Sequence, residues 1–364
     1  MFNMYKAGGP RADRRLTFAS KTFWGPSGGI GRVSELSARV AIDEGYPVSL
    51  LSLDDKGGDF QNRPFWRGHS DSRVRFVADC VRASLSGDQM FYDQLGIARA
   101  HILPDKLVPR CAVWIYGIEV WDQLRPDRLR IAKDRVDTMI AITHFTRQRA
   151  ITYDKVFESA RVCWISTSED EPPENPASLD GPPEALIIGR LDNSAYKGHK
   201  ELIEAWPSVL EAVPEARLTI VGTGPTMELH RAMAQESSAA KYIDVLGFVP
   251  EADIPDLWRR ATLFAMPSRG EGFGLTYIEA MRWGIPVIAS VHDAGQEVNV
   301  HGETGLNVSL DSPTALRDAL VELLRDRNLA RSMGANGQRR WREHFCYSAF
   351  RKRFAPELER IMGR

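Results

Sequence analysis

The chain has 364 residues, of which 43% are hydrophobic and 26% charged, and a formal net charge of −1, as expected of a globular protein long enough to bury two cores. This composition excludes a disordered chain, a collagen-like chain and a small disulfide scaffold, and no apolar run approaches the ~20 residues of a membrane-spanning helix. The chain has four scattered cysteines and no C-x-x-C pair, which predicts buried thiols and no zinc site. It has no apolar signal-peptide segment near residue 1, which predicts a cytoplasmic protein.

Strands and helices alternate along the first half of the chain. Short apolar runs rich in β-branched residues predict strands, and an amphipathic helix begins at the glycines of residues 28–31. The predicted strands are Leu16–Ser20, Pro47–Leu53, Val74–Ala78, Ala112–Ile118, Met139–Thr143 and Val162–Ile165. Arginines at positions 63, 67, 73, 75 and 82 lie among three aromatic residues, a pattern of either a solvated face or a basic surface that meets a membrane or an acceptor.

A change in composition divides the chain. Residues 168–184 carry six acids and five prolines and no aromatic residue, which predicts an exposed connection over residues 166–185. We therefore predict a first domain over residues 1–165, which includes a C-terminal helix of residues 345–364, and a second domain over residues 186–344.

The second half repeats the alternation of strands and helices. Its predicted elements are Ala185–Ile188, Lys200–Ala212, Leu218–Val221, Thr226–Gln235, Ile243–Leu246, Ile254–Arg260, Leu263–Met266, Leu275–Trp283 and Pro286–Ser290. Such alternation in both halves predicts two doubly wound α/β domains with parallel sheets. Ligands of these sheets bind at the carboxyl ends of the strands, so we expect the site there, in a cleft between the domains.

The first candidate site is the glycine-rich turn Gly28–Arg32, which follows a strand and opens a helix. Glycine lets the backbone approach a phosphate, and a helix N-terminus offers free N–H groups, although a purely structural turn explains the pattern equally well. As a dinucleotide fingerprint the turn lacks its third glycine, because Ser34 stands there. Asp54, after the next strand, is the acid that an NAD site would require.

The second candidate is a pair of cations. Arg190 follows a predicted strand, and Lys197 precedes the next predicted helix, so both lie at the carboxyl edge of the sheet. Two cations beside a helix N-terminus can hold a diphosphate and stabilise it as a leaving group. By themselves they are better explained as two solvated cations on a loop.

The third candidate is the block Glu271–Glu279, which spans a loop and the start of a helix. Gly272 and Gly274 leave backbone N–H groups accessible to a ligand, and the two glutamates can face the same cleft. Carboxylates accept hydrogen bonds from sugar hydroxyls and from a ribose diol, which suits a nucleotide sugar.

With these residues the second half resembles the retaining glycosyltransferases of family 4, which have the GT-B fold. The matching blocks, in the family's order, are Ile188-Gly-Arg-Leu, Lys197-Gly-His, Leu218-Thr-Ile-Val-Gly-Thr-Gly, Leu246-Gly-Phe-Val, Ser268 through Glu279, and His301-Gly-Glu-Thr-Gly-Leu. The first half matches more loosely, at Gly28–Gly31, Ala100-His101 and Ile115-Tyr-Gly-Ile-Glu-Val. Trp341–Ile361 resembles the helix that crosses back to the first domain in GT-B enzymes.

The resemblance implies roles for individual residues. Arg190 and Lys197 would hold the donor diphosphate, Glu279 would bind the nucleotide ribose, and Glu271 would contact the transferred sugar. Residues 246–250 would flank the base. The implied catalytic residues are Glu271, Arg190 and Lys197, and the further donor-binding residues are Gly29, Gly31, Gly272, Phe273, Gly274, Leu275 and Glu279.

One position departs from the family. Many members carry a histidine near the transferred sugar, where this chain has Tyr116. Tyrosine can donate a hydrogen bond but is not a cation near neutral pH, so the role of that position is open. Tyr116 and His101 are the candidates for a sugar or acceptor contact.

The resemblance also implies a mechanism without a protein nucleophile. The acceptor attacks on the face from which the diphosphate leaves, the leaving phosphate takes the proton, and the protein orients and stabilises charge. No D-x-D cluster is present, and the resemblance implies a metal-independent reaction without a cofactor.

The predicted function is transfer of a hexose from a UDP- or GDP-sugar to a glycan or lipid-linked glycan, in cell-surface polysaccharide synthesis. Residues 1–165 carry 25 Lys and Arg against 19 Asp and Glu, and residues 166–364 carry 22 against 29. A basic first domain suits an anionic acceptor and peripheral association with the inner membrane surface, with no nucleic-acid partner.

Three alternatives remain open at this stage. A GT-B nucleotide-sugar epimerase shares the fold, but the first half offers no acid/base pair for it. An NAD-dependent oxidoreductase would use the glycine-rich turn and Asp54, but it leaves the Glu271–Glu279 block unexplained. Tyr116 keeps a non-catalytic nucleotide-sugar-binding subunit possible.

Overall fold

The structure of the chain is a computed structural model, which describes residues 14–23, 28–56, 66–117, 119–121, 124–193, 196–312 and 314–363. The described residues up to Ile165, together with those from Phe350 onward, form one compact unit. Ser166–Ala349 form a second compact unit.

The first unit is built on a seven-stranded sheet in the order β3-β2-β1-β4-β5-β6-β7, with every pair parallel. The strands are β1 (Leu16–Ser20), β2 (Val48–Ser52), β3 (Trp66–Gly68), β4 (Gln89–Tyr92), β5 (Cys111–Ile115), β6 (Val136–Ala141) and β7 (Arg161–Val162). The helices are α1 (Gly28–Asp43), α2 (Arg73–Leu85), α3 (Leu95–Ala98), α4 (Pro126–Asp134) and α5 (His144–Tyr153), with a 3₁₀ turn at Lys155–Ser159.

Aromatic stacking joins the C-terminal helix to the core of the first unit. Every residue of β1, β4 and β5 is buried, as expected for parallel strands that are covered on both faces. Trp114 stacks on Phe354 with ring centroids 5.3 Å apart, and Phe354 stacks on Phe350 at 5.2 Å. The Trp114 indole N–H donates to Ser37 Oγ at 3.0 Å, so this large buried ring keeps its hydrogen bond.

The second unit contains a six-stranded parallel sheet in the order β10-β9-β8-β11-β12-β13. The strands are β8 (Glu184–Ile188), β9 (Arg217–Val221), β10 (Ile243–Gly247), β11 (Leu263–Ala265), β12 (Val287–Ser290) and β13 (Gly305–Val308). The helices are α6 (His199–Ala212), α7 (Met227–Glu236), α8 (Ile254–Arg260), α9 (Leu275–Arg282), α10 (Gly295–Val298), α11 (Ala315–Arg325) and α12 (Arg327–Arg340), with short turns at Ala240–Tyr242 and Trp341–Phe345. The last helix, α13 (Tyr347–Ile361), belongs to the first unit from Phe350 onward. Two doubly wound α/β units confirm the predicted fold class.

One predicted strand is wrong. Val74–Ala78 lies inside α2, which buries Phe76, Asp79 and Cys80 on one face. The i, i+3, i+4 spacing of these residues is helical, and it outweighs the β propensity of Val74, whose side chain is 82% exposed. The strands β3 and β4 on either side were not predicted.

The strand predicted at Ala112–Ile118 is β5, and it ends earlier, at Ile115. The Glu119 carboxylate accepts a hydrogen bond from the Tyr116 N–H at 2.5 Å, and Gly117 has a φ of +144°, so the chain turns there. Ile118 lies outside the described residues, as do Arg63 and Phe65 of the predicted basic stretch and the first thirteen residues.

The predicted connection over residues 166–185 packs on the second unit. The Thr167 N–H donates to Phe345 O at 2.9 Å, and the Arg327 guanidinium donates to Leu179 O at 3.1 Å and to Gly181 O at 2.7 Å. Leu179 is buried, although its neighbours are acids and prolines. The segment therefore belongs to the second unit, which runs through Ala349, five residues beyond our predicted boundary.

Candidate functional site

Two loops of the second unit meet where its strand order reverses. The chain leaves β8 toward β9 and leaves β11 toward β12, in opposite directions, although β8 and β11 are neighbours. The loops that follow these two strands therefore share one carboxyl edge, which is where open α/β sheets bind ligands. Gly198, with a φ of +89°, marks their contact, since a Cβ atom there would lie 2.6 Å from Pro267 O.

A buried ion pair joins these loops. Lys197 Nζ contacts Glu271 Oε1, with the two side chains 15% and 12% exposed. The stem of Lys197 lies against Gly189, where a Cβ atom would be 2.9 Å from Lys197 Cδ. Burial works to lower the pKa of the Lys197 ammonium, but the Glu271 carboxylate outweighs it and holds that pKa above its usual value. Lys197 is therefore a fixed, fully charged cation.

Arg190 lies in a different environment. Its side chain is 70% exposed, and its guanidinium donates to Asp192 Oδ1 at 2.9 Å. The two predicted cations follow the same strand, but only Lys197 is enclosed. Arg190 can therefore reorient toward an anion, whereas Lys197 is already in place.

Asp293 supports the loop that carries Glu271. Its Oδ2 atom accepts from the Glu271 N–H at 2.8 Å and from Ser268 Oγ at 2.7 Å, and its Oδ1 atom accepts from the Gly295 N–H at 2.8 Å. The side chain is fully buried. Sequence reasoning missed this residue, although an acid shortly after β12, the strand beside β11, was the signal that could have found it.

Asp293 gives the first prediction, on how stability depends on pH. Burial raises the pKa of Asp293 to about 6, above the ordinary 3.8, although three hydrogen bonds oppose the shift. A raised folded-state pKa means that the stabilising contribution is complete below the unfolded-state pKa and is lost as the pH rises through the folded-state value. Between about pH 4 and about pH 7, the parent should lose about 3 kcal/mol of unfolding free energy relative to Asp293→Asn. Urea unfolding of both proteins across this range measures it, and parallel stability curves would contradict it.

The N-terminus of α9 depends on a glycine. Gly274 has a φ of +87°, and a Cβ atom there would lie 2.2 Å from the ring of Tyr277. The Tyr277 hydroxyl donates to Met266 O at 2.6 Å, which ties the helix back to the end of β11. The amides of Gly272–Leu275 are thus at a helix N-terminus beside the ion pair, an arrangement that favours a phosphate or another anion.

The other predicted residues of this block have unequal exposure. The Phe273 side chain is buried, with its ring centroid 5.8 Å from that of Phe345, so only the backbone of Phe273 can meet a ligand. Glu279 is half-buried on α9, just over one turn after Leu275. Its predicted contact with a ribose stays a prediction.

The segment predicted to flank a base exposes an aromatic ring. Phe248, directly after β10, is 74% exposed, and Leu246 is 43% exposed. The nearby glycine-rich turn packs on the loop that carries Arg190, since a Cβ atom at Gly222 would lie 1.8 Å from Gly189 O. An exposed phenyl ring provides a face on which a planar base can stack.

The remaining candidates belong to the first unit. Gly29 and Gly31 lie in the first turn of α1, after β1, and Gly29 is exposed whereas Gly31 is buried. Tyr116 follows β5, and burial raises the pKa of its phenol well above the usual range. Its hydroxyl is buried without a hydrogen-bond partner among the described residues, and its predicted contact with a sugar or an acceptor stays a prediction.

His101 has a packing role instead of the sugar or acceptor contact that we expected. Its Nδ1 lies 3.3 Å from the Tyr92 hydroxyl and its Nε2 lies 3.0 Å from Pro109 O, and the ring is 3% exposed. Burial lowers the pKa of His101. With both nitrogens engaged, the ring offers no atom to a ligand.

Comparisons with known proteins identify relatives of this chain. The family model for glycosyl transferases group 1 matches residues 168–340. The chain is 32% identical over 245 residues to the GDP-mannose-dependent alpha-(1-6)-phosphatidylinositol monomannoside mannosyltransferase of Mycobacterium tuberculosis, a match that covers 62% of this chain and 63% of that protein. It is 30% identical to the lipopolysaccharide core biosynthesis mannosyltransferase LpsB of Rhizobium meliloti, over 63% of this chain and 67% of that protein.

Solved structures share the architecture at low sequence identity. Anabaena Alr3699/HepE in complex with UDP-glucose matches with a TM-score of 0.77 at 18% identity, over 95% of this chain and 99% of that one. WaaG, a glycosyltransferase involved in lipopolysaccharide biosynthesis, matches with a TM-score of 0.71 at 15% identity, over 96% of this chain and 100% of that one. Separately, none of the helices in the described ranges combines the length and hydrophobicity needed to cross a bilayer.

Proposed function

Because this chain belongs to the glycosyl transferases group 1 family, with the GT-B fold, we propose that it transfers a hexose from a nucleotide-diphosphate sugar to a glycan or lipid-linked glycan, with retention of configuration. The observation that carries the proposal is the enclosed Lys197–Glu271 pair beside the N-terminus of α9. It presents a fixed cation, a carboxylate and backbone N–H groups together, which are the groups that a diphosphate and a sugar need.

The donor would lie along this edge of the second unit. Lys197, Arg190 and the amides of Gly272–Leu275 would hold the diphosphate, and Glu271 would accept hydrogen bonds from the sugar. Glu279 would grip the ribose, and Phe248 would stack on the base.

The chemistry requires no nucleophile from the protein. As the glycosidic bond breaks, negative charge grows on the departing diphosphate, and Lys197 and Arg190 stabilise it. The acceptor hydroxyl attacks the anomeric carbon on the same face and passes its proton to the departing phosphate. Because two cations and a helix N-terminus supply the positive charge, we propose that the reaction needs no metal, and added EDTA should leave the rate unchanged.

The names of the relatives suggest a donor and an acceptor. The Mycobacterium tuberculosis relative is named as a GDP-mannose-dependent phosphatidylinositol monomannoside mannosyltransferase, and LpsB is named as a lipopolysaccharide core biosynthesis mannosyltransferase. We therefore propose GDP-mannose as the first donor to test and a membrane-associated glycolipid as the acceptor, with peripheral association of the protein at the inner membrane surface. The excess of Lys and Arg over residues 1–165 supports an anionic acceptor there.

A thermal-shift panel of UDP-, GDP-, ADP- and dTDP-sugars, followed by turnover with trial acceptors, tests the proposal. A donor at about 100 times its Kd should stabilise the protein by ~2.7 kcal/mol. One nucleotide series should give this shift, and NMR of the product should show a retained anomeric configuration. Nucleotide binding without turnover on any acceptor would favour a non-catalytic subunit, and no shift with any nucleotide would overturn the proposal.

Glu279 gives the second prediction. Contacts to the ribose are the same in the ground and transition states, so Glu279→Gln should raise the donor KM by about tenfold and leave kcat nearly unchanged. A donor whose ribose lacks both hydroxyls provides the control. The parent should bind this donor more weakly than the normal donor, and Glu279→Gln should bind it no more weakly than the parent does. Steady-state kinetics measures both. If Glu279→Gln leaves the KM for the normal donor unchanged, or raises the KM for both donors by the same factor, Glu279 does not bind the ribose.

A further inference from the structure

The first unit contains a basic cavity that the proposed function does not use. It has a volume of about 470 Å³ and lies between β3 and α2. The charged and polar side chains that line it are Arg67, His69, Ser70, Arg75, Asp79 and Arg82. Three of these six are arginines, and the one carboxylate is buried beneath them.

Asp79 organises this cavity. It is 8% exposed, and its oxygens accept from Arg67 at 2.8 Å and from Arg82 at 2.5 Å, with His69 Nε2 at 3.0 Å. Burial acts to raise the pKa of Asp79, but the two guanidiniums and His69 outweigh it and hold that pKa below its usual value. Asp79 is thus a carboxylate whose hydrogen-bonding capacity is directed at the protein.

The same contacts position the arginines. The side chains of Arg67 and Arg82 are 64% and 73% exposed, so each gives an N–H group to Asp79 and keeps others for the cavity. A guanidinium has five N–H donors in a planar fork, which suits two-pronged binding of phosphate oxygens. Because the buried carboxylate already orders two guanidiniums, an anion that binds them loses less conformational entropy on binding.

Arg75 makes the charge unbalanced. It is exposed, it lines the same cavity, and the structure gives it no carboxylate partner among the residues described. One carboxylate, Asp79, therefore faces three guanidiniums, which leaves at least two positive charges uncompensated within the cavity. A phosphomonoester carries up to two negative charges and three acceptor oxygens, and it matches this excess better than a single carboxylate does.

We propose that this cavity binds a phosphate group, held by Arg67, Arg75 and Arg82. The site lies in the first unit and is distinct from the donor diphosphate site proposed on the second, so it goes beyond the proposed function. The ligand is a phosphomonoester or a diphosphate. It is carried either by a molecule free in solution or by a lipid headgroup.

Calorimetric titration of the full chain with pyrophosphate tests the site without donor or acceptor, so its outcome is independent of whether the chain transfers sugar. Arg75→Gln is the cleanest variant, because Arg75 has no described ion pair to lose. It should weaken one binding event by about tenfold, the value of one charge-assisted contact. Arg130→Gln, an exposed arginine of α4, is the matched control for lost charge and should leave the binding unchanged.

A second control separates the two anion sites. Lys197→Met removes the cation of the donor site and should leave the Arg75-dependent event intact. Pyrophosphate binding that is unchanged in Arg75→Gln, or weakened equally in Arg130→Gln, would overturn the proposal. Thermal melts should be the same for Arg75→Gln and the parent, which excludes unfolding as the cause of the loss.

Vesicle sedimentation distinguishes the two sources of phosphate. Phosphatidylcholine vesicles with and without phosphatidic acid are compared with the parent and Arg75→Gln. If the cavity binds lipid headgroups, the parent should sediment with phosphatidic acid and Arg75→Gln should do so about tenfold less. If only the pyrophosphate event depends on Arg75, the ligand is a phosphate free in solution. If neither assay depends on Arg75, the site does not exist.

Discussion

Glu271→Gln is expected to lower kcat by about 100-fold with a smaller change in donor affinity. We propose that Glu271 lies at the transferred sugar, where positive charge develops as the glycosidic bond breaks, so its charge is worth more in the transition state than before it. Glutamine keeps the shape and one acceptor oxygen but removes that charge. The same change takes the counter-ion from the enclosed Lys197, whose pKa should then fall, because burial is no longer opposed.

Glu204→Gln is the matched control for this change. Glu204 lies on α6 and pairs with Lys200 at 3.6 Å, but both side chains are more than half exposed. Loss of this surface pair should alter stability by less than about 1 kcal/mol and leave kcat unchanged. Steady-state kinetics with the identified donor and acceptor measures both variants. If Glu271→Gln turns over as fast as the parent, our proposed active site is wrong.

Lys197→Met should lower kcat/KM by about 100-fold or more, and Arg190→Ala should have a smaller effect. Methionine fills the space against Gly189 but removes the charge, so the diphosphate loses a contact worth about 1.5–3 kcal/mol. It also leaves the Glu271 carboxylate buried without its cation and close to an incoming anion. Arg190, which is exposed and paired with Asp192, has no such buried partner to leave behind.

The double variant Lys197→Met/Glu271→Gln separates these two costs. If part of the loss in Lys197→Met comes from the uncompensated carboxylate, the double variant should bind the nucleoside diphosphate more tightly than Lys197→Met alone. Calorimetry with the nucleoside diphosphate measures this directly. Normal affinity and turnover in both Lys197→Met and Arg190→Ala would exclude the proposed diphosphate contacts.

Local signals in the sequence were sufficient to locate the loops of the second unit. Short buried apolar runs, followed by Gly189 and Pro267, gave β8 and β11, and Gly274 gave the start of α9. These signals depend on the backbone conformation of a few neighbouring residues, and contacts with distant residues do not change them.

Contacts between distant residues could not be predicted in the same way. Sequence reasoning grouped Lys197 with Arg190 as two cations that hold a diphosphate, and it did not predict that Lys197 also pairs with Glu271, 74 residues away. Asp293 was missed because its role depends on hydrogen bonds that it accepts from Ser268 and from the Glu271 N–H, and these partners lie 25 and 22 residues away along the chain. Likewise, Val74–Ala78 was predicted as a strand because of its β-branched residues. The helical spacing of the buried positions in α2 was the stronger signal, but which positions are buried becomes known only from the packing.

The contact between Gly198 and Pro267 has a consequence for how related sequences can diverge. The loops after β8 and β11 touch there, and the Arg269 N–H donates to Tyr196 O at 2.8 Å, so neither backbone can shift without the other. A side chain at position 198 would require the loop after β11 to move away from the loop after β8. That movement would separate Lys197 from Glu271. Substitutions in the two loops should therefore be inherited as matched sets, and a chimera that exchanges only one loop with a relative should fold less stably than a chimera that exchanges both.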